Sequence, residues 1–334
     1  MKDILVVFTG GTIGSRASQG VISPDASASY HLISLFQAQY PEPAQVNFHC
    51  IQPYQLLSEN LAPPAWQRLI AAIEAENPER YAGVIVTHGT DTLAFTAAAL
   101  SLYFNTLAVP ILMVSSDYPL SHAKANGVRN FICAVDYIRQ RQAAGVWVPY
   151  CNQGQAMHLH HGARLAASLQ LSSDFISVQN RPMAVYDNRR FDWQEPLPAR
   201  QPMVLKAEFS PRVVLIKPYP GLDYSRFYLQ AGDVVLHDMY HSGTACSSAQ
   251  WGGNFSLVEF VRQCRENSVP VYLAPAMKTP DAYASTQTLL QEGVSMIWNI
   301  SLEAAYVKLM LGYGNFSENK TRQTFLETNI AGEM

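Results

Sequence analysis

The chain has little charge and no marked excess of either sign. Charged residues make up only 15% of its 334 positions, with 23 basic and 26 acidic side chains and a formal net charge of −3. This balance leaves no basic surface of the kind that binds nucleic acid or an acidic membrane. We therefore expect no nucleic-acid partner and no membrane partner.

Long apolar runs and clustered cysteines are also missing. No stretch approaches the roughly 18 apolar residues that a membrane-spanning helix needs, and the run Ile4–Phe8 is too short for the core of a signal peptide. The cysteines lie far apart, which argues against a disulfide framework and against a cysteine metal site. Scattered thiols and the lack of an export signal predict a cytoplasmic protein.

What the chain does have is the pattern of a compact α/β protein. Its hydrophobic fraction of 48% over 334 residues suits two domains of ordinary size. Short apolar runs alternate with longer segments of helical periodicity, which is typical of a parallel sheet covered by helices. Strands are predicted at 4–8, 45–52, 83–86, 110–114, 213–216, 233–237 and 270–273, and helices at 63–76, 92–105, 255–267, 281–292 and 301–312.

This periodicity lapses in a polar, proline-rich stretch that contains Pro196 and Pro198. Such a stretch indicates a linker. We therefore predict a larger N-terminal parallel-sheet α/β domain over residues 1–185, a linker over 186–212 and a smaller C-terminal α/β domain over 213–334.

Two turns rich in threonine and glycine each follow a predicted strand. Residues 9–14 read TGGTIG, and residues 87–92 read THGTDT. In an open parallel sheet, ligands bind at the carboxyl ends of the strands. Glycine allows the backbone to approach a ligand and present N–H donors, and threonine supplies a hydroxyl nucleophile. Together these turns indicate a catalytic site for acyl transfer without a metal.

A nucleotide-binding loop is the alternative interpretation of the first turn. Its glycines follow the order G-G-x-x-G rather than G-x-G-x-x-G, and no Lys-Ser or Lys-Thr pair follows, as a P-loop requires. The second predicted strand ends without an acidic residue that could bind a ribose. The nucleotide hypothesis is therefore the weaker one, but the pattern alone leaves it open.

TGGTIG followed by HGTDT resembles the paired signature of the L-asparaginase/glutaminase family, in particular its cytoplasmic, type I-like L-asparaginases. Three further segments resemble that family: LSENL at 57–61, SDYPL at 116–120 and KPYPG at 217–221. The resemblance extends over nearly the whole chain. It implies the hydrolysis of asparagine or a related amide to the acid and ammonia through an acyl-enzyme ester, without a cofactor. It also implies a homodimer or homotetramer.

The resemblance further implies roles for individual residues. Thr12 would be the nucleophile, and Thr90 and Asp91 the second catalytic group, with Asp91 also binding the substrate ammonium. Ser58 would bind the substrate carboxylate, and Gly11 and the backbone N–H of Thr90 would lie beside the scissile amide. The remaining substrate-binding candidates are Glu59, Gly89, Ser116 and Thr244, and Tyr30 is a candidate for the tyrosine of the family's mobile loop.

The chain departs from the family pattern at two positions that carry charge. Ala167 stands where the family has a lysine that tunes proton transfer, and no lysine occurs between Lys124 and Lys206. Glu59 stands where a neutral serine or glutamine is usual. Both changes make the predicted pocket more negative and would disfavour a free amino acid with its own carboxylate.

These departures leave two hypotheses for the function. The first is an active amidohydrolase, supported by Thr12, Thr90 and Asp91. The second is a catalytically impaired homologue that acts as a ligand-binding or regulatory protein, supported by Ala167.

The histidines of the segment 158–161 are not predicted to bind a metal, because alternation along a strand divides them between two faces.

Overall fold

The computed structural model describes residues 2–18, 21–24 and 28–334. The chain forms two compact units. The N-terminal unit comprises Met1–Ala207 with Ile330–Gly332, and the C-terminal unit comprises Glu208–Asn329 with Glu333–Met334. Each unit has its own sheet and helices, as the predicted α/β class requires. No helix in the described ranges has the length and apolarity needed to cross a bilayer.

The N-terminal unit is built on an eight-stranded sheet with the strand order β10-β9-β8-β7-β6-β5-β1-β4. Strands β4, β1, β5, β6 and β7 are parallel, the three strands from β8 to β10 are antiparallel, and β2 and β3 form a separate hairpin. The strands are β1 (Ile4–Phe8), β2 (Ser15–Ser18), β3 (Val21–Pro24), β4 (Phe48–Ile51), β5 (Gly83–Thr87), β6 (Pro110–Val114), β7 (Gly145–Cys151), β8 (Met157–His161), β9 (Ala184–Asp187) and β10 (Arg190–Trp193). The helices are α1 (Ala28–Gln39), α2 (Pro63–Ala75), α3 (Leu93–Tyr103) and α4 (Gly127–Arg139).

The central strands are continuous apolar runs because both of their faces are covered. All residues of β1, β5 and β6 are buried. One face of the sheet packs against Phe36 of α1 and Phe131 of α4 in a single core cluster. Helix α3 is buried along nearly its whole length and packs on β7. Burial on both faces explains why apolar runs, rather than alternation, marked these strands in the sequence.

The predicted linker 186–212 differs from the structure in its first residues. Strands β9 and β10 form an antiparallel hairpin at the edge of the sheet, joined by Asn188 and Arg189, which have φ values of 45° and 61°. The Arg189 guanidinium donates to both carboxylate oxygens of buried Asp136, at 3.0 and 2.6 Å. A contact between residues so far apart in sequence holds this hairpin, and the local pattern did not reveal it. No helix or strand is present between residues 194 and 207.

The C-terminal unit has a four-stranded parallel sheet with the order β11-β12-β13-β14. Its strands are β11 (Val213–Ile216), β12 (Val234–His237), β13 (Val271–Ala276) and β14 (Ser295–Trp298), and its helices are α5 (Leu257–Glu266), α6 (Ala284–Gln291), α7 (Leu302–Asn315) and α8 (Asn319–Glu327). The buried face of α5 packs on β12 and β13 in one core cluster. The three predicted strands and three predicted helices are present, while β14 and α8 were not predicted.

Candidate active site

The two threonine-rich turns leave the sheet at neighbouring strands. β1 and β5 are adjacent and parallel, with Phe8 opposite Thr87 at their carboxyl ends. The turn 9–14 follows β1, and the turn 87–92 follows β5, so both lie at the same edge of the sheet. Their first threonines are linked as well, because the Thr9 hydroxyl donates to the Thr87 carbonyl at 2.6 Å.

Gly11 and Gly89 bring the two turns into direct backbone contact. Gly11 has a φ of 77°, and a Cβ atom at this position would lie 2.3 Å from the Gly89 nitrogen. Only glycine tolerates both this conformation and this approach. Thr12 and Thr90 directly follow these glycines, and both are partly buried. The structure therefore brings together the two turns that carry the threonines proposed as catalytic.

The segment after β4 forms a third side of the site. The Gly11 N–H donates to the Leu56 carbonyl at 2.9 Å. This bond occupies a donor that the family resemblance placed beside the scissile amide. The Thr90 N–H, in contrast, makes no backbone hydrogen bond in the part of the chain that the structure describes. Among the described residues, the Thr90 N–H is therefore the better candidate of the two to bind a substrate oxygen.

Ser58 and Asp91 are in contact with each other. Ser58 is buried, and its hydroxyl accepts the Asp91 N–H at 3.2 Å and lies 3.4 Å from Asp91 Oδ2, to which it donates. The Ser58 carbonyl accepts the Thr92 hydroxyl at 2.9 Å. The Asp91 carboxylate is exposed, as is Glu59 in the turn Ser58–Asn60. The segments that carry the predicted site thus contribute two exposed carboxylates.

His88 supports the second turn through its hydrogen bonds, a role that no sequence pattern indicated although His88 lies within THGTDT. Its Nδ1 donates to the Gly89 carbonyl at 2.8 Å, and its Nε2 accepts the Thr96 hydroxyl at 2.9 Å. Trp66 Nε1 donates to the same hydroxyl at 3.0 Å. Burial lowers the pKa of His88 to about 4, against the opposing effects of the Gly89 bond and the Asp91 charge. His88 is therefore neutral near pH 7 and orients the turn.

Three further predicted site residues are Ser116, Thr244 and Tyr30. The Ser116 hydroxyl donates to the Tyr118 carbonyl at 2.6 Å and accepts the Gly127 N–H at 3.2 Å, so it joins the segment after β6 to the start of α4. Thr244 belongs to the C-terminal unit, where its hydroxyl lies 2.9 Å from that of Ser242. The side chain of Tyr30 lies outside the described residues.

Arg164 is the basic residue of the segment around Ala167. The Ala166 N–H donates to the Ile176 carbonyl at 3.0 Å. Burial lowers the pKa of Arg164, whose charged neighbours are Glu195 and Arg181. Across the described ranges, neither Asp91 nor Glu59 forms an ion pair with a basic side chain.

The histidines of β8 have a packing role in the structure. His160 is buried, and its Nδ1 lies 2.8 Å from the Ser177 hydroxyl. Burial lowers the pKa of His160 to about 3, so the ring is neutral. Among the described residues, no three His, Cys, Asp or Glu side chains gather as a metal site would need.

Comparison with known proteins places these features in a family context. A family model described as asparaginase, N-terminal, matches residues 3–198. A glutamyl-tRNA(Gln) amidotransferase subunit from Methanococcus maripaludis is 29% identical over 359 aligned positions, which cover 100% of this chain and 81% of that protein. The corresponding protein from Pyrococcus horikoshii is 24% identical, with 100% of this chain and 77% of that protein covered.

Solved structures share the fold over almost the entire length. The thermostable L-asparaginase from Thermococcus kodakarensis superposes with a TM-score of 0.80 at 23% identity, covering 99% of both chains. L-asparaginase I from Vibrio cholerae gives a TM-score of 0.77 at 23% identity, covering 100% of this chain and 99% of that one. Because the family model spans more than half of the sequence, including both threonine turns, the chain belongs to the asparaginase family.

Proposed function

We propose that this protein hydrolyses small primary amides to the acid and ammonia, with Thr12 as the nucleophile. One observation supports the proposal: the turns that carry Thr12 and Thr90 meet at the contact between Gly11 and Gly89, and Asp91 of the second turn bonds to Ser58. Two hydroxyls, a carboxylate and an open backbone N–H are the groups that acyl transfer requires.

The proposed reaction has two halves. The Thr12 oxygen attacks the amide carbon, and its proton passes by way of the second turn to the leaving nitrogen as the C–N bond breaks and ammonia departs. The Thr90 N–H stabilises the oxyanion during this attack. Water then adds to the resulting ester, the ester bond to Thr12 breaks, and the proton returned to Thr12 regenerates its hydroxyl. The overall change is one amide and one water to one acid and one ammonia.

The experiment is ammonia release by the purified protein from asparagine, glutamine and uncharged aliphatic amides, with the acid product identified by mass spectrometry. We expect ammonia and the matching acid in equal amounts from at least one amide. The same protein after denaturation serves as the control. Absence of ammonia from every amide would favour the hypothesis of an impaired, ligand-binding homologue.

A second candidate function follows from the relatives named as amidotransferase subunits. The similarity to the Methanococcus maripaludis protein extends over 100% of this chain. In this hypothesis the protein also hydrolyses an amide, but the ammonia serves a partner protein instead of being the end product. Amide hydrolysis at the site is the same in both hypotheses. Ammonia release from asparagine, glutamine and aliphatic amides is therefore the first test of each hypothesis.

Replacing Ala167 with lysine tests the effect of the missing amine. We expect Ala167→Lys to raise kcat about a hundredfold for the amide that the wild type hydrolyses best, because a general acid–base group typically contributes about 10²–10⁴-fold. Ser168→Lys is the matched control, since it adds the same charge one residue away. Wild-type turnover of asparagine near the enzyme median of about 10 per second would show that the lysine is dispensable here.

A further inference from the structure

The C-terminal unit contains a cavity of about 730 Å³ at the amino ends of β12 and β13. Asp233 directly precedes β12 there, and Pro270 directly precedes β13. The residues that line the cavity belong to this one unit, which contains neither threonine turn. Cavities of about 300–1,000 Å³ typically hold a small organic molecule. The cavity therefore has the size of a ligand site separate from the candidate active site.

Both carboxylates that line this cavity are already bound by arginine. The Asp233 carboxylate lies 3.0 Å from the Arg212 guanidinium. The Glu292 carboxylate lies 2.5 Å from the guanidinium of Arg262 and 3.5 Å from that of Arg265. The opposite charges of an ion pair largely cancel at a distance, so a paired carboxylate attracts a further cation only weakly. These carboxylates therefore do not make the cavity a site for a cationic ligand.

Two basic side chains of α8 line the cavity without such a partner. Lys320 and Arg322 form no ion pair with a carboxylate in the part of the chain that the structure describes. The Arg322 guanidinium donates to the Phe316 carbonyl at 2.8 Å and lies 4.0 Å from the centre of the Tyr313 ring. Neither contact neutralises its charge. The wall of the cavity is therefore net positive.

A pair of tyrosines adds a neutral donor beside these cations. The hydroxyls of Tyr272 and Tyr313 lie 3.1 Å apart, and both residues line the cavity. Burial, followed by the bond to Tyr272, raises the pKa of Tyr313, so its hydroxyl is protonated near pH 7. One hydroxyl of such a pair donates to the other, and the proton of the second hydroxyl remains for a ligand.

Part of the lining is apolar. Four valines of the lining belong to the buried core of the unit: Val261, Val269, Val271 and Val294. An inorganic ion gains nothing from apolar surface, whereas an organic ligand that covers it gains about 25 cal/mol per Å² removed from water. The combination of an apolar lining and unpaired cations fits a ligand that is both apolar and anionic.

From these features we propose that the cavity binds a small organic anion, in which an apolar body carries a phosphate or carboxylate group. The apolar body packs against the valines. Lys320, Arg322 and one hydroxyl of the tyrosine pair donate to the anionic group, because phosphate and carboxylate oxygens accept charge-assisted hydrogen bonds from such side chains.

Four naphthalene compounds of similar shape test the preference for an anion. Naphthyl phosphate and naphthoate are anionic, naphthalenemethanol is neutral, and naphthylmethylamine is a cation. In titration calorimetry with the full chain, we expect both anions to bind at least about tenfold more tightly than the alcohol, because hydrogen bonds to charged groups are the stronger ones. The amine should bind most weakly. An alcohol that binds as tightly as the anions would overturn the proposal.

Inorganic phosphate tests the requirement for an apolar body. It carries the charge of naphthyl phosphate without the ring, and we expect it to bind at least about tenfold more weakly, since it covers none of the apolar lining. Equal binding of inorganic phosphate and naphthyl phosphate would overturn the assignment of an organic ligand.

Charge-neutral variants locate the bound probe. Lys320 is exposed, so Lys320→Gln should fold normally; we expect it to weaken naphthyl phosphate binding several-fold and to leave binding of the alcohol unchanged. Arg322→Gln should act in the same direction. Lys217→Gln is the matched control, because Lys217 is an exposed lysine that follows the carboxyl end of β11, at the opposite edge of the same sheet. It should bind naphthyl phosphate like the wild type.

Competition with asparagine distinguishes the cavity from the candidate active site. Excess asparagine should not displace naphthyl phosphate, since the threonine turns belong to the other unit. Displacement by asparagine, or wild-type affinity in both Lys320→Gln and Arg322→Gln, would show that the probe binds elsewhere and would overturn the proposal.

Discussion

Thr12→Ala is expected to remove the ammonia-releasing activity of the protein. Thr12 follows Gly11, whose backbone contacts Gly89 of the second turn, and the other threonine of the first turn, Thr9, donates its hydroxyl to the Thr87 carbonyl. Loss of a serine nucleophile in a protease lowers kcat about 10⁶-fold, and we expect a loss of more than about a thousandfold here. Thr12→Ser keeps the hydroxyl and should retain measurable activity.

Thr106→Ala is the matched control for this experiment, since Thr106 is an exposed threonine of the same unit. It should release ammonia at the wild-type rate. An acyl-enzyme trapped by rapid acid quench should carry its added mass on the peptide containing Thr12. Equal ammonia release by Thr12→Ala and wild type would remove the assignment of Thr12, and a mass shift on the peptide containing Thr90 would transfer the role to that residue.

Glu333→Gln is expected to destabilise the C-terminal unit strongly. The Lys308 ammonium, on α7, lies 2.6 Å from Glu333 Oε1, and both side chains are fully buried. Lys308 also donates to the Thr328 carbonyl at 2.6 Å. Burial lowers the pKa of Lys308, and the charge of Glu333 opposes that effect. Removing one member of a buried ion pair leaves an uncompensated charge and typically costs about 3–5 kcal/mol.

Two comparison variants distinguish the effect of a buried unpaired charge on stability from the effect of lost packing. The double variant Lys308→Met with Glu333→Leu removes both charges. We expect its urea midpoint to lie closer to the wild-type midpoint than that of Glu333→Gln does. Arg262→Ala removes an exposed arginine of the same unit that pairs with Glu259 and Glu292, and it should cost about 1 kcal/mol or less for each pair. Urea unfolding measures all three, and a Glu333→Gln midpoint equal to that of Arg262→Ala would contradict the prediction.

The fold class and the neighbourhood of the two turns followed from local sequence patterns. The strands 4–8 and 110–114 have the predicted bounds, and β5 extends the predicted 83–86 by one residue. Continuous apolar runs of this length belong to buried parallel strands. Turns that follow parallel strands lie at one edge of the sheet, which is why the glycine-rich motifs could be assigned to one site from their positions in the sequence.

Contacts between distant residues decided the features that the local pattern could not reveal. In the hairpin of β9 and β10, Arg189 binds the buried Asp136 of α4. No sequence pattern near Arg189 indicates that partner.

The chemistry of the site was decided in the same way. The sequence by itself determined which residue types follow β1 and β5. The tertiary structure decided that the Gly11 N–H is occupied by Leu56 and the Ser58 hydroxyl by Asp91. Sequence periodicity reports which residues are buried, whereas the partner of each buried donor depends on where the chain returns after many residues.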